Sequence, residues 1–373
     1  MPPQERTDFE VFESRKTDPS SSKIRVGLNG FGRIGRCVTR ILAERENIEI
    51  VAINHCGPID YMCYKLKYDS THGTFNGSVE PTQDGDLMLN GKRVHVFSTR
   101  DINELNWASV GADYVIESTG VFNSLEKCQA HLDNGARKVI ITAPSPDAPM
   151  FVFGVNHQLY SPEMRVISNA SCTTNCLAPV VKIINDNFGV KEALMTTIHS
   201  YTASQTLVDG SAKGKKSWRD ARGGAVNIIP ATTGAAKACT KVIPELAGKI
   251  TGMAFRVPTP NVSVVDLTVK LEKETSYEVI MNTIKDSAVG DLKNVVQVTD
   301  VPLVSSDYNT TPFSSSVDAA AGMELNSTFY KIIIWYDNEW GYSQRVVDLL
   351  QYAASREKTK IKSTIKEILE DTA

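Results

Sequence analysis

Apolar positions along this chain alternate between the spacing of a buried strand and that of a helix. Residues 24–29 read as a buried strand, the turn Gly30-Phe31-Gly32-Arg33-Ile34-Gly35 follows at once, and Val38, Ile41 and Leu42 then recur at helical spacing. A second strand, 48–54, arrives where a strand-helix-strand unit requires it. Residues 94–97, 114–117 and 139–142 add short strands, the last two running out into Ser118-Thr119-Gly120 and Ala143-Pro144-Ser145-Pro146. Strands alternating with helical segments predict an α/β fold, a doubly wound parallel sheet of the Rossmann type with ligand at the carboxyl ends of its strands. Thr119 and Thr142 sit at such ends, where either could also be a plain turn former.

Beyond residue 170 the pattern changes. Leu177, Val180, Val181 and Ile184 place a helix after Ser168-Asn169-Ala170-Ser171-Cys172-Thr173-Thr174-Asn175-Cys176. Longer β-rich segments follow at 192–199, 250–257, 262–270 and 329–336, with helical candidates at 234–246 and 277–288, so a mixed α+β catalytic domain is expected. Val346, Val347, Leu349 and Leu350 mark a last helix at 342–352. The expected division is an N-terminal extension 1–22, a dinucleotide-binding domain 23–170, a catalytic domain 171–334, a C-terminal helix 335–357 returning to the cofactor domain, and an extension 358–373.

Composition narrows the function. The 373 residues, 42% hydrophobic and 22% charged, suit a globular protein with two sizeable cores, and a net charge of -3 offers no basic footprint for nucleic acid. Seven cysteines without a CxxC pair argue against a disulfide framework and for a reducing compartment, with cytoplasm the default. No run of 18 apolar residues occurs, so no membrane span is expected. Residues 1–22, acidic and ending in Pro19-Ser20-Ser21-Ser22, read as a disordered tail unlike a secretory or transit peptide.

The glycine turn lets backbone approach a pyrophosphate, whose charge meets the N–H groups opening the helix. The acidic residue that grips the adenosine ribose in such units, about 20 residues further on, is replaced by His55. Cys172, at a helix start among small polar residues, is the candidate nucleophile, since the helix terminus favours thiolate; the alternative is a buried small hydrophobe. His199, at the end of a strand, becomes its natural base and ion-pair partner. Cysteine and histidine alone permit a cysteine hydrolase or a thiol-dependent dehydrogenase, and only the second needs the nicotinamide site that the first half supplies. Residues 202–237 form a long loop, rich in Gly, Ser and Lys, whose Thr232-Thr233-Gly234 opens a helix suited to phosphate. Arg256 lies inside an apolar strand and demands an anion, either a structural carboxylate or a bound phosphate.

Those stretches, with Tyr68-Asp69-Ser70-Thr71-His72-Gly73, His199-Ser200-Tyr201-Thr202, residues 227–237, Arg256-Val257-Pro258-Thr259 and Trp335-Tyr336-Asp337-Asn338-Glu339, closely resemble the phosphorylating glyceraldehyde-3-phosphate dehydrogenases from residue 23 to about 357. The resemblance implies that Cys172 attacks the aldehyde, His199 is acid and base, and phosphate cleaves the resulting thioester, with NAD as electron acceptor. It assigns Gly30, Gly32, Gly35, Arg33, Ile34, His55, Arg100, Thr119, Thr142 and Asn338 to the cofactor. Thr202 and Arg256 fall to the phosphate of glyceraldehyde 3-phosphate, and Ser171, Thr173, Thr233 and Gly234 to inorganic phosphate. No metal is implied. A homotetramer is implied, with the 202–230 loop near a neighbour's cofactor.

The chain departs from the family pattern at His55, in a longer lysine-rich loop (Lys213, Lys215, Lys216), and at both ends. His55 predicts a weaker preference for NAD over NADP, and also motivates the rival reading of a scaffold paralogue with little catalysis. Ile361, Ile365, Ile368 and Leu369 predict a short amphipathic helix in the C-terminal extension that docks on the protein itself or on a partner.

Overall fold

The computed structural model describes residues 23–212 and 217–371, with side chains through Thr359. The tail 1–22, Lys213, Lys215, Lys216 and the apolar face at Ile361 to Leu369 lie outside the described residues or side chains.

Strand β1 (Ile24–Asn29) leads through the glycine turn into α1 (Arg33–Ala43) and on to β2 (Ile48–Asn54), with β1 and β2 parallel from Ile24 opposite Ile48 to Asn29 opposite Asn54. The sheet continues as β5 (Lys92–Phe97) beside β2, and β6 (Tyr114–Glu117), β7 (Lys138–Ile141) and β8 (Val166–Ser168) beyond β1, all parallel. A short antiparallel pair, β3 (Val79–Pro81) and β4 (Leu87–Leu89), completes an eight-stranded sheet in the order β3-β4-β5-β2-β1-β6-β7-β8. The strand order reverses at β1, so the carboxyl ends of β1, β2 and β6 frame the crevice where a doubly wound sheet receives its ligand. Helix α2 (Ile59–Lys67) links β2 to β3, and the short α3 (Trp107–Val110) and α4 (Leu125–Asp133) precede β6 and β7.

The second sheet begins after α5 (Cys172–Phe188) and has seven strands in the order β10-β11-β9-β12-β15-β14-β13. Its centre is β9 (Val190–Ser200), β12 (Ser263–Leu271) and β15 (Phe329–Tyr336), with β10 (Ile229–Thr232) and β11 (Ile250–Val257) on one side and β14 (Ser315–Asn326) and β13 (Val296–Thr299) on the other. Helices α5, α6 (Ala235–Val242) and α7 (Tyr277–Val289) cover one face, burying Leu177, Val181, Cys239, Ile280 and Ile284 against Val265, Leu267 and Ile332.

The last helix, α8, runs unbroken from Trp340 to Asp371, where the sequence pattern predicts one helix at 342–352 and a separate one beyond 357. Its apolar residues Val346, Val347, Leu350 and Ala354 pack in the core shared with α1, β1 and β2. The helix is continuous because no proline or glycine interrupts it after Gly341, and Glu357 is drawn into the core. Glu357 takes hydrogen bonds from Tyr114 (2.6 Å), Tyr160 (3.0 Å) and the Lys138 ammonium (2.9 Å).

Candidate active site

The geometry around Cys172 starts with strain in the backbone. Ala170 has φ +54°, a left-handed conformation that costs a non-glycine residue about 1 kcal/mol or more. It is held by its N–H donating to the Ser168 hydroxyl and by the Tyr342 hydroxyl donating to its carbonyl at 2.9 Å. That kink sets Ser171 as N-cap, its Oγ accepting from the Thr174 N–H at 3.0 Å, and makes Cys172 the first residue of α5. The half-buried thiol therefore sits at the positive end of a helix dipole.

Sheet register supplies its partners. Strands β9 and β11 run parallel with His199 beside Arg256. His199 Nε2 lies 3.6 Å from Cys172 Sγ, while its Nδ1 lies 2.7 Å from the Ser200 carbonyl and 2.6 Å from Arg256 Nη1. Arg256 Nη1 also donates to the Ser200 carbonyl at 3.0 Å. The guanidinium can only donate, so while it holds Nδ1 that nitrogen accepts and the ring proton is assigned to Nε2; with Arg256 withdrawn, the proton can sit on Nδ1 toward the Ser200 carbonyl and leave the Nε2 lone pair facing the thiol. Burial and the neighbouring Arg256 charge push the His199 imidazolium down to about 3, against the stabilising Ser200 carbonyl, so the ring is neutral at physiological pH. Burial pushes the Cys172 thiol up, opposed by the Arg256 charge and by hydrogen bonds at Thr173 and the helix start. Both directions work against an ion pair between Cys172 and His199 and leave Arg256 as the nearby cation.

Arg256 has no carboxylate among the described residues, and its buried Nε has no partner. Of the two anions its position demands, the structural carboxylate is absent from its surroundings. Thr202 bonds Ser204 (2.8 Å) and Gln205 (3.2 Å) at the start of the 202–230 loop. Thr233 accepts from the Ala235 N–H at 3.2 Å, and Gly234, the N-cap of α6, faces open space. The Thr173 hydroxyl is tied to the buried Tyr336 hydroxyl at 2.9 Å, which also meets Thr197 at 2.9 Å.

At the first sheet, a cleft of about 280 Å³ is lined by Asn29, Gly30, Phe31, Asn54, His55, Cys56, Thr99, Arg100, Thr119 and Phe122, among others. Gly30, at φ +100°, could carry no side chain, because a Cβ would lie 2.9 Å from the backbone of Ser118 and Thr119. Gly32 is the N-cap of α1 and has nothing within 4 Å of a Cβ position, so open space adjoins an N-terminus that no side chain caps. These features fit a dinucleotide with its pyrophosphate on α1. Asn338 is buried, its Oδ1 accepting from Ser263, whose Oγ in turn accepts from the Ser200 N–H.

Three predicted site residues have side chains otherwise engaged, and a fourth, Gly35, is closely packed. Arg33 is bound bidentately by Asp69 and by Glu339, so its guanidinium locks α1 to the start of α8. Ile34 packs against the core, the Thr142 hydroxyl donates to the Glu117 carbonyl at 3.1 Å, and the Gly35 position lies against the Gly30 carbonyl. Sequence reasoning missed the network beneath the cleft. Buried Glu117 accepts from Asn29 (2.6 Å), the Thr119 N–H (2.7 Å) and His131 (3.0 Å). Because His131 Nδ1 accepts from Trp107 at 3.0 Å, its Nε2 carries the proton given to Glu117. An acid closing an apolar strand was the available signal.

Residues 171–338 match the model of the glyceraldehyde 3-phosphate dehydrogenase C-terminal domain, and residues 24–125 that of the family's NAD binding domain. The chain is 55% identical to the chloroplastic glyceraldehyde-3-phosphate dehydrogenase of Arabidopsis thaliana, over 94% of this chain and 83% of that protein. It is 56% identical to the cytosolic enzyme of Chlamydomonas reinhardtii, over 91% of this chain and 100% of that one. With the testis-specific enzyme of Mus musculus the identity is 55%, over 90% and 76%.

Proposed function

Because this chain belongs to the glyceraldehyde-3-phosphate dehydrogenase family, we propose that Cys172 and His199 carry out its NAD-dependent oxidation of glyceraldehyde 3-phosphate, and that Arg256 couples substrate capture to their activation. NAD, when bound, supplies the electron acceptor. The observation that carries the residue assignment is the 3.6 Å approach of Cys172 Sγ to His199 Nε2 beside a cationic Arg256 without a carboxylate partner.

The substrate's phosphate, received by Arg256 and Thr202, draws the guanidinium off His199 Nδ1. The ring proton then sits on Nδ1, donated to the Ser200 carbonyl, and Nε2 is free to take the thiol proton as Cys172 attacks the aldehyde carbon. His199 next holds the proton of the thiohemiacetal hydroxyl while that carbon is oxidised to a thioester on Cys172. Inorganic phosphate, at Ser171, Thr173, Thr233 and Gly234, attacks the thioester carbonyl and releases the thiol and an acyl phosphate. Gly30, Gly32, Gly35 and the N–H groups of Arg33 and Ile34 hold the cofactor's pyrophosphate, Thr119, Arg100 and Thr142 border its cleft, and Asn338 orients its nicotinamide. Residues 23–170 form the cofactor domain and 171–334 the catalytic one.

A homotetramer is supported by Leu207, Val208, Trp218, Val226 and Ile228, all exposed on the loop between β9 and β10. A cytoplasmic site is supported by seven unpaired cysteines and the cytosolic relative, set against the chloroplastic one. No described helix is long and apolar enough to cross a membrane. Nothing in the site favours the scaffold reading. Purified chain should sustain NAD reduction over many turnovers only when glyceraldehyde 3-phosphate and inorganic phosphate are both present; sustained turnover that ignores phosphate, or none at all, would overturn the assignment.

A further inference from the structure

In a dinucleotide-binding unit the residue closing the second strand faces the adenosine ribose. An acid there accepts from the ribose hydroxyls and repels a 2′-phosphate, whereas a basic group admits one. In this chain that residue is His55, in the lining of the cleft, and it does not stand alone. Lys65, on α2, brings its Nζ to 3.4 Å from His55 Nε2. The ammonium is held over the rings of Tyr61 at 4.8 Å and Phe31 at 6.0 Å, so it is aimed by packing and not by a counter-ion. Arg36, on α1, donates to the Phe31 carbonyl at 3.1 Å and keeps a buried Nε without a partner.

We propose that His55 and Lys65 form a receptor for the 2′-phosphate of NADP, so that this chain takes NADP in addition to NAD. The inference rests on the reading of the cleft as the cofactor site. His55 and Lys65, from successive elements, meet at 3.4 Å with no carboxylate paired to either among the described residues. They repel one another: burial first, then Lys65 and Arg36, lower the His55 pKa, and burial and Arg36 lower that of Lys65. A dianionic phosphate relieves that repulsion and lets the imidazole take a proton, turning its contact into a charge-assisted hydrogen bond. Room is left on the imidazole edge by Gly57, where a Cβ would lie 3.0 Å from Nε2. NAD keeps its place because a neutral imidazole still accepts one ribose hydroxyl.

Calorimetric titration of the full chain at pH 7 with NAD, NADP, adenosine 2′,5′-bisphosphate, its 3′,5′ isomer and inorganic phosphate tests the proposal. Wild type should bind NADP within about tenfold of NAD and prefer the 2′,5′ isomer to the 3′,5′ isomer and to phosphate. Lys65→Met should weaken NADP at least about five times more than NAD, and His55→Asp should tighten NAD about tenfold while weakening NADP about a hundredfold. Wild type that binds NAD but holds NADP about a thousandfold more weakly would overturn the receptor, as would a Lys65→Met chain that weakens both cofactors alike. Equal binding of the two bisphosphate isomers would reduce the notch to non-selective anion capture and overturn it too. Failure to bind NAD would instead overturn the cofactor cleft itself.

Discussion

Arg256 does two things that mutation separates. It is the cation that opposes the burial of the Cys172 thiol, and it is the group without a carboxylate that a substrate phosphate satisfies. Arg256→Leu should raise KM for glyceraldehyde 3-phosphate at least about tenfold more than for an unphosphorylated aldehyde, as steady-state kinetics would read. It should also shift the pH midpoint of Cys172 alkylation upward, because a charge that favoured thiolate is lost. Equal KM losses for both aldehydes would make Arg256 structural. His199→Asn should behave differently. A ring already neutral in the free chain adds no charge to the thiol, so alkylation should keep its pH midpoint while turnover falls by roughly a hundredfold or more through loss of the base. A large upward shift of that midpoint would restore the ion pair. Cys172, His199 and Arg256 were legible from residue type and position in strand or helix. That Arg256 touches His199 was not, because the contact comes from a register between strands about 57 residues apart in the chain. Glu117, Tyr336 and Ser200 stayed hidden for the same reason: their roles are partners, and partners are tertiary.

At the scale of elements, α8 is held by charge at its start, where Arg33 joins Glu339 to Asp69, and midway along, at Glu357. Burial works against the Asp69 carboxylate, but hydrogen bonds from Arg33 and from the His72 and Thr71 N–H groups hold it well below the usual range. A depressed carboxylate stabilises the fold above its unfolded pKa, near ~3.9, and that share is lost as pH falls further. Asp69→Asn should therefore cost about 1–3 kcal/mol at pH 7, and its deficit relative to wild type should shrink below pH 4 in denaturant titrations. A deficit unchanged by pH would assign the loss to packing. Farther along, removing Glu357 leaves the buried Lys138 ammonium without its counter-charge, so Glu357→Ala should destabilise by about 3 kcal/mol, measured by the same titrations. Truncation after Lys358 keeps that contact and should spare most of the stability. Hydrophobic spacing revealed β1, β2, β6, β11 and β15 to the residue, because each is built mainly of apolar and β-branched or aromatic residues. It missed β3, β4, β8, β10 and β13, which are three or four residues long and owe their place to neighbours, the twelve-residue β14, whose small and polar residues carry little apolar signal, and α2, whose exposed Tyr61 and Tyr64 blur its apolar face.

Across the whole molecule, α5 begins where the two cores meet and α8 returns to pack in the core of the first sheet. Cys172 packs against both the core of the first sheet and that of the second. The fold class was readable from the alternation of strands and helices, and the site from residues set where that alternation stops. The exposed apolar residues of the long loop carry the assembly prediction: sedimentation should find a tetramer, and Trp218→Asp should raise the dissociated fraction. The central claim is that Cys172 carries a thioester which only phosphate resolves. Rapid mixing of the purified chain with NAD and glyceraldehyde 3-phosphate, without phosphate, should give a burst of about one NADH per active site and then stall, with phosphate restoring turnover and Cys172→Ser abolishing the burst. Steady NADH production without phosphate, or a burst of wild-type size in Cys172→Ser, would contradict it.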